Sequence, residues 1–98
     1  MNAFSMIIGG CYCEIYLPES RSLKDKRQIV KSICQKIKNQ LPVAVAEVAY
    51  HEQWQRCGIG LAAVSADKLH AEKLLRQAVD LMEKDCRLHL SQYHLYFY

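Results

Sequence analysis

No stretch of this chain approaches the ~20 consecutive apolar residues that a membrane-spanning helix needs, so none is expected. Proline occurs twice and glycine four times, too seldom for a linker or a low-complexity tract, and no internal repeat is visible. Neither sign of charge dominates. Thirteen Lys and Arg against ten Asp and Glu leave a formal +3, too little to argue for nucleic-acid binding by itself. The five cysteines are an odd number without Cys-x-x-Cys spacing, which argues for reduced thiols in a cytoplasmic protein and against a disulfide framework. Cys11 and Cys13 share a strand face, but His51, His70, His89 and His94 are scattered over different segments. No converging set of four metal ligands is therefore expected, and no cofactor. A Gly-rich phosphate loop, a nucleophile elbow and an HExxH pair are also missing, so no catalytic residue is assigned and an enzyme is not expected.

The segment IGGC at 8–11 has the look of a lipoprotein cleavage box. No Lys or Arg precedes it, however, and the apolar run before Cys11 is too short for a signal core. The alternation continues through Glu14, so the segment reads as a strand.

What is present is a chain of 98 residues, half of them hydrophobic, expected to form one domain over 1–98. Residues 6–17 read as a strand ended by Pro18, with Gly9 and Gly10 leaving room for a packed helix. Ser22 is the expected N-cap of a helix that runs to Pro42, with Asp25 completing a capping box. Ile29, Val30, Ile33, Cys34, Ile37 and Leu41 gather on one face of it. Strands follow at roughly 43–50 and 56–65, joined by a hairpin reading HEQWQR. A second helix starts near Asp67, capped by Ser65 or Asp67. It buries Ala71, Leu75, Ala78 and Met82, flanked by Leu74, Val79 and Cys86. In the last stretch Tyr93, Leu95 and Phe97 point one way and His94, Tyr96 and Tyr98 the other. The order β-α-β-β-α-β gives an α+β, ferredoxin-like sandwich, a four-stranded antiparallel sheet with both helices on one face.

That fold leaves one sheet face bare. An RNA-recognition domain of this topology stacks bases on aromatic residues of the two central strands. Here the third strand, RCGIGLAAV, has none and the first offers only Tyr12 and Tyr16, so the face is expected to be small and apolar. It suits packing against a protein surface or a second copy better than RNA stacking.

The excess positive charge sits on the first helix. Between Arg21 and Lys38 there are seven basic residues and one acidic, Asp25, a local +6 (7 − 1). Residues 67–86 carry four basic and five acidic residues. Lys24, Arg27, Lys31 and Lys38 fall within about 60° on a helical wheel and form a stripe of the kind that meets phosphate backbones, or simply faces solvent. Lys26 lies instead near the middle of the apolar face. It must snorkel past the sheet edge or meet a carboxylate. Glu47, which interrupts the apolar strand VAVAEVA, is the expected structural partner of Lys26, Arg27 or Arg56, because an unpaired buried carboxylate costs several kcal/mol. The single tryptophan, Trp54, is either a lid on the core or a contact surface held out on the hairpin.

Ser22-Leu23-Lys24, Lys26-Arg27, Ala46-Glu47-Val48, Trp54-Gln55-Arg56 and Ser65 together make the chain resemble the YlxP-like family, small bacterial proteins of unassigned function, over nearly its whole length. The resemblance implies a ferredoxin-like fold. It also implies proximity to translation, since the family's genes tend to lie beside those for translation initiation and ribosome maturation. With these residues at one end of the fold, Lys24, Lys26, Arg27, Lys31, Trp54, Gln55 and Arg56 are the candidate binding residues. The expected function is a cytoplasmic binding module for ribosomal RNA or ribosomal particles. The alternative is a protein–protein adaptor that self-associates, as a homodimer, through its open sheet face or an edge strand.

Overall fold

Two prolines set the first boundaries. Pro18 follows the first strand and Pro42 the first helix, because a proline disfavours helical backbone at the residue before it and has no N–H to donate. The computed structural model describes residues 3–98. The elements run β1 (Ile7–Tyr16), α1 (Leu23–Gln40), β2 (Ala44–Ala49), β3 (Arg56–Ser65), α2 (Lys68–Glu83) and β4 (His89–Phe97). They build an α+β, ferredoxin-like arrangement: one four-stranded sheet in the order β2-β3-β1-β4, with every neighbouring pair antiparallel.

Both helix starts use short polar side chains. The Ser22 hydroxyl accepts from the Asp25 amide at 3.0 Å, a bond typically worth about 1 kcal/mol at an N-cap. The return arm of the expected capping box closes one residue early: Asp25 accepts from the amide of Arg21, not of Ser22, at 3.0 Å. Asp67 caps α2 by accepting from the Leu69 amide at 3.1 Å. Ser65, the other candidate, accepts from the Asp67 amide at 3.1 Å. The helix ends at Glu83, so Cys86 lies beyond it and is exposed. The 3.6-residue period alone would carry the helix a turn further than the Lys84 cap at which it stops.

The core lies between the sheet and the helices. Cys11, Cys13, Ile15 and Leu17 of the first strand segment and Cys57, Ile59, Leu61 and Ala63 of β3 meet Val30, Ile33 and Ile37 of α1. Leu74, Leu75, Ala78, Val79 and Met82 of α2 close it, and each fully buried Leu, Ile or Met contributes about 1.5–3 kcal/mol. Gly9 sets how close α2 comes: a Cβ there would stand 3.0 Å from Leu75 Cδ1. Gly10 points to the opposite, helix-free face. At Glu47–Ala49 the β2–β3 register shifts. Glu47 stays on the helix side opposite Ile59, while Ala49 pairs with Gly58 on the open side. This bulge leads into the hairpin.

Candidate functional site

The hairpin between β2 and β3 is organised by one buried cation. Lys26 is only 1% exposed, and its ammonium lies 3.1 Å from Glu47 Oε2. It also donates to the carbonyls of Tyr50 at 2.7 Å, Arg56 at 3.2 Å and His51 at 3.3 Å. An ammonium taken from water costs several kcal/mol, and it is tolerated where a carboxylate and further acceptors surround it. Three of those acceptors belong to the hairpin, so α1 fixes the shape of the turn. Tyr50 there takes φ 62°, a left-handed conformation costing a non-glycine residue roughly 1–2 kcal/mol. Its carbonyl also accepts from the Gln53 amide at 3.1 Å. Of the three cations expected to compete for Glu47, Lys26 is the one brought to it. Its ammonium is fully engaged, so it positions the hairpin and is not itself a contact surface.

Arg56 goes elsewhere. It shares the parity of Gly58 and Gly60 and emerges on the open face, where Nη2 lies 2.9 Å from Glu14 Oε2. Its guanidinium stands over the Tyr50 ring, 4.1 Å from the centroid, and the Tyr12 hydroxyl donates to Glu14 Oε1 at 3.3 Å. Glu14 is 8% exposed. The Arg56 hydrogen bond, against the opposing effect of burial, holds its carboxyl below the usual carboxylate range, with Tyr50 and Tyr12 adding to the effect. Burial and then the Glu14 charge push the Tyr12 phenol up. The expectation of a small, purely apolar open face is thus corrected: its hairpin end carries a Tyr12–Glu14–Arg56–Tyr50 cluster. The signal was in the sequence, because Glu14 interrupts an apolar strand just as Glu47 does.

Gln55 ties the hairpin to the loop before α1. Its side-chain amide donates to the carbonyls of Ser20 at 3.1 Å and Pro18 at 3.2 Å, and its own carbonyl accepts from the Leu17 amide at 2.8 Å. Trp54, one residue earlier, is 55% exposed; it is not a lid on the core. It borders an open surface hollow with Glu52, Gln53 and Gln55. Lys24, Arg27 and Lys31 are exposed on α1, as are Lys36 and Lys38, and Arg21 is exposed just before its N-cap. Among the described residues none of these six makes an ion pair. The structure therefore gathers the tryptophan and the start of the basic helix at one end, while Lys26 and Gln55 serve as the ties between them.

Four of the five thiols, Cys11, Cys13, Cys34 and Cys57, pack in or against the core. Cys11 and Cys13 Sγ lie 3.6 Å apart in the core, and the bond with Cys11, then burial, pushes the Cys13 thiol far up. Burial, then the Glu47 charge, does the same to Cys57, whose Sγ donates to Glu47 Oε2 at 3.3 Å. Burial also raises Cys34. The bond with Cys13, against burial, lowers Cys11.

A family model described as a protein of unknown function (DUF503) matches residues 8–95. An uncharacterized protein of Bacillus subtilis (strain 168), YlxP, is 34% identical over 77 residues, covering 79% of this chain and 84% of that one. Among solved structures, the de novo designed protein Foldit4 superposes with a TM-score of 0.54, covering 96% of this chain and 97% of that one. At 12% identity the latter likeness is one of fold alone. None of the described helices is long and apolar enough to cross a membrane.

Proposed function

The chain belongs to the family of proteins of unknown function DUF503, and from that premise and the hairpin end described above we propose that it is a non-enzymatic RNA-contacting module, acting in the cytoplasm on ribosomal RNA or a ribosome-maturation intermediate. The observation that carries this reading is Trp54, exposed on a hairpin that Lys26 and Gln55 lash to the start of a helix bearing unpaired cations. An exposed indole on a mobile loop would lose side-chain and backbone entropy on binding. One on a fixed turn is already placed, and pre-organisation of this kind favours affinity. A base stacked on such a platform gains about 1–3 kcal/mol, and the cations of α1 add sequence-independent attraction for the backbone through counterion release. The resemblance to a family encoded beside ribosome-maturation factors selects ribosomal RNA among polyanions.

The test is sedimentation of cell lysate through density gradients at low and at moderate salt. The protein should travel with ribosomal particles at low salt and be released at moderate salt, because phosphate contacts weaken steeply as salt rises. Absence from every ribosomal fraction at low salt would remove the reading.

A further inference from the structure

The open sheet face is a second surface, distinct from the hairpin end, and its side chains follow a pattern that the strand register makes explicit. Rows of residues cross the sheet from β2 through β3 and β1 to β4. One row reads Ala44, Ala62, Gly10, Tyr96; the next reads Ala46, Gly60, Tyr12, His94; the next reads Ala49, Gly58, Glu14, Gln92. In each row the β2 and β3 positions are small. The larger side chains stand on β1 and β4, apart from Gly10. Over these three rows the face is half hollow and half ridge; beyond them Val64 stands exposed on β3 beside Ile8. Ala44, Ala46, Gly60 and Ala62 line a shallow trough with Val48 as its wall, and Tyr96 and Tyr98 stand exposed on the other side.

A two-fold axis running along the strands, between β3 and β1, reverses each row when one copy is laid face to face on another. Tyr96 of one copy then opposes Ala44 of its mate, His94 opposes Ala46 and Tyr12 opposes Gly60, while Gly58 is already covered by the Tyr12 ring and Ala49 of its own chain. Large meets small in these three pairs, and in both directions, as an isologous interface requires; Gly10 meets Ala62 and, in the flanking row, Ile8 meets Val64. The charges follow the same operation. The strands of this face carry one carboxylate, Glu14, and one guanidinium, Arg56, 2.9 Å apart at the hairpin end. The axis brings the β1 strand of one copy over the β3 strand of the other, so each Glu14 approaches the mate's Arg56 and signs alternate.

We propose that the open face is a homodimer interface, formed by a second copy of this chain packed sheet to sheet about an axis along the strands. A neutral face gives a polyanion no net attraction, whereas it lets a second copy of a cationic chain approach with its basic helices turned outward. Four strands about 4.8 Å apart and up to about 33 Å long offer roughly 600 Å² per copy. Both copies together reach about 1,200 Å², the lower end of the range for specific interfaces. This inference does not depend on the RNA reading, since Trp54 and the exposed cations of α1 lie outside the contact.

Sedimentation velocity on the purified chain between about 1 and 200 µM, the weak end of the affinities that interfaces near the lower size limit show, should show a monomer–dimer equilibrium. Ala62→Glu places a charge at the centre of the face, on a side chain exposed in the single copy. It should weaken the dimer at least about tenfold with an unchanged circular-dichroism spectrum. Leu69→Glu, on the exposed outside of α2, should leave the dimer intact. The axis is read by cross-linking with a short bismaleimide in a Cys86→Ser background, which removes the exposed thiol. Ala44→Cys and Tyr96→Cys should each fail to cross-link alone and should join when mixed. A chain monomeric throughout the range, a dimer indifferent to Ala62→Glu or broken by Leu69→Glu, or cross-linking of Ala44→Cys to itself would each overturn the proposal.

Discussion

Two carboxylates in otherwise apolar strands, Glu14 and Glu47, hold the hairpin end together from opposite faces of the sheet. Glu47 is 22% exposed at its side chain and faces an almost fully buried ammonium. Removing it strands Lys26 on its carbonyl partners, so Glu47→Ala is expected to destabilise the fold by about 2–3 kcal/mol. That lies below the 3–5 of a fully buried pair, because three carbonyls remain. Chemical denaturation measures it, and an unchanged midpoint would mean that the carbonyls suffice. Glu14 makes a prediction about pH. Its carboxyl titrates below its unfolded value because Arg56 binds the charged form. The folded state therefore binds protons less readily than the unfolded one, and the stabilisation is present above the unfolded carboxylate range. It is lost as pH falls through the depressed folded value. Glu14→Gln should lower the melting temperature at neutral pH, and the difference from wild type should close progressively below about pH 4, near the unfolded glutamate value. A difference constant from pH 7 to pH 2 would contradict the pairing.

At the scale of elements, the hairpin is where local pattern and tertiary structure part company. Strand and helix order, the Ser22 cap, the choice of Ser65 or Asp67 for the second cap and the alternation of β4 were legible, because hydrophobic period and capping side chains act over a few residues. The exposure of Trp54 was not, since it rests on ties from Lys26 and Gln55 to backbone atoms 24 or more positions away along the chain. The left-handed Tyr50 was equally hidden, because only the bulge at Glu47–Ala49 and the Lys26 ammonium make that conformation tolerable. Arg56 could have been separated from Glu47 by parity alone, since it alternates with the buried Cys57 and must face away from the helices. The exposed indole carries a direct consequence. Trp54→Ala should change folding free energy by less than about 1 kcal/mol, whereas deletion of a core tryptophan costs about 3–5. A thermal unfolding curve distinguishes the two, and a large loss would return Trp54 to the core.

Over the whole molecule, charge and apolar surface are segregated. Five unpaired cations lie on α1, on the helix side of the sheet; exposed Ile8, Tyr16, Val48, Val64 and Tyr96 of the strands lie on the other side; the hairpin with Trp54 projects from one end. A dimer closed through the sheets would present two basic helices outward and two tryptophan hairpins at the same end, so the two proposed surfaces are compatible in one assembly. The RNA reading rests on the cations and the indole contributing in different ways, and affinity measured against salt separates them. Filter binding of the purified protein to deproteinised ribosomal RNA across a salt series, for wild type, Lys24→Glu with Lys31→Glu, and Trp54→Ala, is the direct test. The doubly charge-reversed chain should bind several-fold more weakly, with a slope of log affinity against log salt flatter by about 1.4–1.8, the equivalent of two lost phosphate contacts. Trp54→Ala should lose about 1–3 kcal/mol with its slope unchanged, since a stacking platform carries no charge. Wild-type binding that does not respond to salt, or a charge-reversed chain with the wild-type affinity and slope, would contradict the account.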